Sequence, residues 1–171
     1  MEIRFLTAED AGEWSRLRLE SLERDPAAFG SSVEEHRALP MEEVKKRLSS
    51  NPDSFVVGAF EDGRLFGMAG FHRETGPKTC HKGRVWGVYV TASTRGQGLA
   101  HLMMKALLER AAAIAGLEQV LLSVTSTQTA ALALYRALGF EMFGTEPRAL
   151  NVGSEFIDEH YLVLGLKRTR D

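Results

Sequence analysis

Apolar and polar residues trade places along this chain in two rhythms. Glu2–Leu6 alternates, with Ile3 and Phe5 in register, and reads as a short strand. Thr7 then stands as an N-cap, with Glu9 and Asp10 in the first turn, and opens a helix. Trp14, Leu17 and Leu22 mark the inner side of that helix, which stops before Asp25-Pro26. Pro40 precedes a second helix, Met41–Leu48, with Lys45 and Lys46 on its polar surface. Between them Ala27–Ala38 has weak periodicity and reads as a loop or broken helix.

From Ser54 the pattern turns to strands. Phe55–Phe60 is a β run, Asp62-Gly63 supplies a hairpin turn, and Leu65–Arg73 returns. Gly76-Pro77 breaks that strand and a third run follows at Lys82–Val90. Connections this short make an antiparallel meander. Leu99–Ala115 carries the strongest helical period, with Leu99, Met103, Ala106, Leu107 and Ile114 on one face and Gly116 as its stop. Val120–Val124 is a strand, Ala130–Leu138 a short helix with Ala131, Leu134 and Leu138 on one face, and Phe140–Phe143 and Phe156–Leu166 two last strands. The order predicts an α+β layer structure, with a central, mostly antiparallel sheet covered by helices. The long link from Val90 to Val120 permits a crossover, which makes those two strands parallel.

Composition narrows the function classes. The chain has 171 residues, 44% apolar and 26% charged, which suits one domain spanning 1–171 with a real core. Charges nearly cancel, 21 Lys+Arg against 23 Asp+Glu, so no nucleic-acid partner is expected. Cys80 is the only cysteine, which excludes an intrachain disulfide and fits a reducing cytoplasm. Met1–Phe5 shows no basic patch ahead of an apolar stretch, and no run approaches the ~18 apolar residues of a membrane span. No metal site is expected.

The chemistry concentrates in Val88-Tyr89-Val90-Thr91-Ala92-Ser93-Thr94-Arg95-Gly96-Gln97-Gly98-Leu99-Ala100. A strand ends, two glycines follow, and the strongest helix starts. Glycine lets backbone amides approach a ligand, and the first helical amides are unpaired and electropositive. With Arg95 this is a site for phosphate-like anions. No P-loop pattern is present. A dinucleotide fingerprint matches Gly96 and Gly98, but His101 stands at its third glycine and Glu118 falls before the next strand instead of at its end. The plain alternative is a tight helix start with no ligand.

A second element follows about 30 residues on: Ala131-Leu132-Ala133-Leu134-Tyr135-Arg136-Ala137-Leu138-Gly139-Phe140. Together the two stretches resemble the GNAT superfamily of acetyl-CoA-dependent N-acetyltransferases. Arg95, Gly98 and Ala100 match that family's first motif; Ala131, Leu134, Tyr135, Gly139 and Phe140 match its second, with Gln128 where the family has asparagine. The resemblance implies a GNAT-like fold with a mixed sheet of about seven strands and about four helices. It also implies acetyl-CoA as cosubstrate. Its diphosphate would rest on amides of Gly96, Gln97, Gly98, Leu99 and Ala100, beside Arg95, Gln128 and Ala131. Its pantetheine arm would pair with Val88, Tyr89 and Val90, in a slot where that strand splays from Ser123–Thr125.

The resemblance makes Tyr135 the general acid for the departing thiolate; the alternative is a tyrosine packed in the core. A thiol of pKa ~8.5 against a phenol of ~10 leaves that transfer uphill by roughly 2 kcal/mol. A lysine-like acceptor costs about 4.6 kcal/mol to deprotonate at pH 7 and an α-amine only about 1.4. Many relatives carry a glutamate base where this chain has Trp86, which leaves His72, Glu74, His81 or a water. His72 and His81 fall on neighbouring strands in this reading, and Cys80-His81 point to opposite strand faces and form no dyad. The acceptor, a small-molecule or peptide amine, would meet Ala27–Glu35 and Glu146–Asp158, with Phe29, Glu34 and Trp86 lining its site. Glu34, Glu35, Glu155, Asp158 and Glu159 could attract a cationic amine or simply be solvated. Lys167–Arg170 reads as a solvated end. Dimers are common in the family, which leaves a homodimer open. A non-catalytic acyl-CoA-binding module and a nucleotide-dependent oxidoreductase are the rival classes.

Overall fold

The computed structural model describes residues 1–49 and 51–166, and Lys167–Arg170 lies outside them. The elements in chain order are β1 (Glu2–Phe5), α1 (Ala11–Arg24), α2 (Val33–Ala38), α3 (Met41–Leu48), β2 (Ser54–Glu61), β3 (Arg64–Arg73), β4 (Lys82–Val90), α4 (Leu99–Ala112), β5 (Gln119–Thr125), α5 (Thr129–Ala137), β6 (Glu141–Val152) and β7 (Glu155–Gly165). The strands form one seven-stranded sheet in the order β1-β2-β3-β4-β5-β7-β6. Among the described strands only β4 and β5 run parallel, because the α4 crossover carries the chain back in the same direction.

Helices cover both faces, so the central strands are buried on both sides. Phe55, Val57 and Ala59 of β2 pack with Met103, Met104 and Leu107 of α4, while Val56 and Phe60 pack with Trp14 and Leu17 of α1 and Val44 of α3. Met103, Met104 and Leu107 are fully buried, each contributing about 1.5–3 kcal/mol by leaving water. The inner stripe of α1 is not wholly apolar: Arg18 and Ser21 are buried beside Trp14, Leu17 and Leu22.

The structure revises several boundaries. Thr7 caps a 3-10 turn, Ala8–Asp10, that leads into α1, its amide donating to Asp10 Oδ2 at 2.8 Å. The weakly periodic segment contains α2, started by Ser32, whose hydroxyl accepts from the Glu35 amide at 3.1 Å while Glu35 accepts from the Ser32 amide. Cys80 and His81 lie in the turn before β4, not on a strand. β6 runs on to Val152 through the polar stretch after Phe143, where residues 147–149 bulge opposite Asp158. An edge strand tolerates Pro147 there, since one side of its backbone needs no partner.

One irregularity shapes the middle of the sheet. β4 and β5 pair only through Lys82–Gln119, Gly83–Val120 and Arg84–Leu121. On the other side of β4, Met68 faces Tyr89 and Gly70 faces Trp86, so Gly87 and Val88 share Ala69 as a β-bulge. Gly87 has φ 62°, a conformation that costs any L side chain about 1–2 kcal/mol. A bulge bends its strand, and β4 turns away from β5 past Arg84.

Candidate functional site

The parted strands leave a narrow cleft of about 70 Å³ lined by Trp86, Val88, Ser123, Gln128 and Tyr135. It adjoins a groove of about 340 Å³, with which it shares Val88, Gln128, Ala131 and Tyr135. It also adjoins a cavity of about 460 Å³, with which it shares Val85, Trp86, Gly87 and Ser123. Ala28 and Phe29 border all three.

The groove collects most residues expected to meet a cofactor. Val88, Tyr89 and Val90 form one wall; Arg95, Gly96, Gly98, Leu99 and Ala100 form its mouth; Gln128, Ala131 and Tyr135 stand opposite. Gln97 is exposed and does not line it. Gly96 and Gly98 have φ of 79° and 77°, and Gly98 is the N-cap of α4. A Cβ built on either would meet open space within 4 Å, so the turn faces outward into the groove mouth. The first bond of α4 runs from the Leu102 amide to the Gly98 carbonyl at 3.1 Å, and the amides of residues 96–101 make no backbone hydrogen bond. They present donors at the positive end of the helix dipole. Arg95 is less free than the sequence implied: its Nε donates to the Val90 carbonyl at 3.0 Å and its Nη2 to Asp25 Oδ2 at 2.6 Å. The Tyr89 hydroxyl donates to Glu20 at 3.1 Å, and burial with that neighbouring charge pushes its pKa up to about 12.

Tyr135 is the buried residue of α5, 5% exposed and edge-on to Phe140 at 6.0 Å. Burial pushes its phenol well above the ordinary value, which keeps the hydroxyl protonated throughout the physiological range. The substitutes proposed for a base are not brought to this place. None of His72, Glu74 and His81 lines the groove, cleft or cavity. Glu74 is held by Arg84 at 2.6 Å, which lowers its pKa, and burial lowers that of His72.

The larger cavity is lined by Phe29 and Trp86 but not by Glu34, which is exposed on α2. Its neighbour Glu35 lines the cavity with its carboxylate spent on the α2 cap. Of the other acids, Glu159 lines the cavity, Asp158 accepts from the Arg148 amide at 2.8 Å, and Glu155 is exposed. The remaining charged lining is basic: Arg18 and Arg47, with His36 between α1 and α2. His36 Nε2 donates to the Ser15 carbonyl at 3.1 Å, and burial lowers its pKa. Sequence reading missed Arg18 and Gly87. Their signals were an arginine within an apolar helical stripe and a glycine inside a strand. Among the described residues no group of three or more His, Cys, Asp or Glu is placed to hold a metal ion, and no helix is long and apolar enough to cross a membrane.

A sheet whose parallel pair is parted between two helical layers is the GNAT acetyltransferase fold. A GNAT-family acetyltransferase from Streptococcus pneumoniae superposes with a TM-score of 0.87 at 24% identity, over 96% of this chain and 98% of that one. A GNAT-superfamily phosphinothricin acetyltransferase from Sinorhizobium meliloti, solved in complex with AcCoA, gives 0.81 at 20% identity, over 96% and 88%. The chain belongs to the acetyltransferase (GNAT) family, whose family model matches residues 15–140. It is 36% identical over 83 residues to an L-methionine sulfoximine/L-methionine sulfone acetyltransferase of Pseudomonas paraeruginosa, 48% of each chain. The chain thus spans about half the length of the curated relatives it matches.

Proposed function

We propose that this protein is an acetyl-CoA-dependent N-acetyltransferase acting on a primary amine. The observation that carries the reading is the cleft between β4 and β5, with unpaired amides at one end of it, a second cavity at the other and Tyr135 on its wall. When bound, acetyl-CoA supplies the thioester whose carbonyl carbon the amine attacks, forming a C–N bond and breaking the C–S bond.

The chain's own groups do the rest. Amides of residues 96–101 hold the diphosphate. The β4 edge left unpaired past Arg84 receives the pantetheine arm as an added strand, at net ~0.5–1.5 kcal/mol per hydrogen bond. Arg95 already occupies the Val90 carbonyl, so the arm's pairing concentrates at Val88. Tyr135 donates a hydrogen bond to the sulfur as it gains charge; its proton passes to the departing thiolate, and solvent reprotonates the phenolate. Its raised pKa favours the stabilising hydrogen bond over early proton transfer. The amine loses its proton to water, or to Glu159 or His36, the titratable groups that line the acceptor cavity besides the arginines and the capping Glu35. An α-amine, at about 1.4 kcal/mol to deprotonate, asks little of such groups. The Pseudomonas relative, named for L-methionine derivatives, supports an acceptor of amino-acid type.

The test is calorimetric titration with acetyl-CoA followed by thiol release over a panel of amines. Micromolar binding with amine-dependent thiol release is expected. Binding without release on any amine would favour a non-catalytic acyl-CoA module; no binding would remove the reading.

A further inference from the structure

Two buried side-chain donors find no acceptor among the described residues: Trp14 Nε1 and Arg18 Nη1. They stand one turn apart on α1, and both residues line the larger cavity. Trp14 is 1% exposed and Arg18 9%. Buried polar groups are nearly always paired, and a buried guanidinium nitrogen without an acceptor is among the costlier exceptions. We propose that the acceptor amine carries a carboxylate, and that Arg18, assisted by Trp14, binds that carboxylate inside the cavity. The inference rests on the acetyltransferase reading and names the substrate class for the same site.

Among the described residues none of the charged groups on the cavity wall pairs with Arg18. Arg47, from α3, adds a second positive charge to the first. Glu35 is committed to the Ser32 amide, and neither it nor Glu159 of β7 forms an ion pair with Arg18. His36, the remaining titratable group, is held by Ser15, and burial lowers its pKa. Without an anionic neighbour Arg18 has its pKa pushed down to about 10 by burial, with Arg47 adding to the effect. The side chain is held in place: its guanidinium lies 4.7 Å from the Phe29 ring centroid, a cation–π contact that fixes it without neutralising it.

The position suits the chemistry. A Cβ on Gly87 would come within 3.6 Å of Arg18 Nη1, so the guanidinium lies over the bulge that opens the cleft. A carboxylate there leaves an amine on the same molecule free to enter the cleft beside Ser123. Glu159, on the sheet side of the cavity, faces the ammonium end of such a zwitterion.

The experiment pairs each common L-amino acid with its α-amide, which keeps amine and side chain but removes the negative charge. At least one acid should be acetylated with kcat/KM roughly 30- to 100-fold above its amide. Arg18→Met should collapse that ratio to about threefold or less, and Arg18→Lys should restore part of it. Arg37→Met, an exposed change on α2, should leave the ratio unchanged. Amides matching acids, or Arg18→Met retaining the ratio, would overturn the inference and leave the acetyltransferase reading intact. Absence of acetyl-CoA binding and turnover would strike that reading instead. Thermal shift with each acid and amide then still decides: stabilisation by acids that depends on Arg18 upholds the carboxylate site, and equal effects overturn it.

Discussion

The Arg95 guanidinium donates to the Asp25 carboxylate at 2.6 Å, tying the glycine turn ahead of α4 to the C-terminal end of α1. Both side chains line the groove, so the pair places an anion where a diphosphate is expected. Arg95 is 49% exposed, and solvent screens much of the pair's strength. Asp25→Asn should therefore free Arg95 and tighten acetyl-CoA binding by about 2- to 5-fold, more at low salt than at high. Calorimetry at two ionic strengths checks this, and a weaker affinity in the variant would show that the pair instead positions the turn.

Gly98 adopts φ 77° with open space around it. Valine there costs about 1–2 kcal/mol in backbone strain and projects methyl groups toward the bare amides. Gly98→Val should lose at least roughly tenfold in acetyl-CoA affinity while remaining folded. Gly63 has the same φ in the β2–β3 hairpin, also in open space. Gly63→Val is the matched control, with similar loss of stability and unchanged affinity; equal affinity losses in both would refute the site.

Tyr135→Phe removes only the hydroxyl from a residue packed on Phe140. kcat should fall about 10- to 100-fold, with little change in the melting temperature. Unaltered kcat would leave Tyr135 as a core aromatic.

His36 and His72 are both held below the ordinary histidine pKa, first by burial. Their neutral forms are favoured in the folded chain, so the unfolded chain takes up protons first as pH falls through about 6.5. Stability should therefore be full above that pH and decline toward the lower folded values. The carboxylates with lowered pKa, among them Asp10 and Glu13, keep their contribution above their ordinary values of 3.8 and 4.5 and lose it only as pH falls below them. The melting temperature should drop between pH 7.5 and 5, and the His36→Gln/His72→Gln double variant should flatten the slope. A wild-type curve flat over that range would contradict the assignment.

Local signals carried much of this protein. Strict alternation at β1, the Asp62-Gly63 hairpin and the apolar stripe of α4 are each written within a dozen residues, because a strand's period, a turn's backbone and a helix's face depend on near neighbours. The glycine turn was legible for the same reason, as a break between a strand and a strong helix. The α2 helix was harder to see: six residues offer too little periodicity, and its start rests on one reciprocal pair, Ser32 and Glu35.

Tertiary structure alone decided the character of the larger cavity. The sequence offered acidic residues near Phe29, which could attract a cation or simply be solvated; the fold turned Glu34 outward, spent Glu35 on a cap and brought Arg18, Arg47 and His36 to the cavity from three different helices. It also moved the base candidates away, since strand position does not say which end of a parted sheet a side chain serves. Period and propensity fix which way a residue faces on its own element. Which charges then share a space depends on contacts between segments far apart in the chain, and only the packed sheet brings those together.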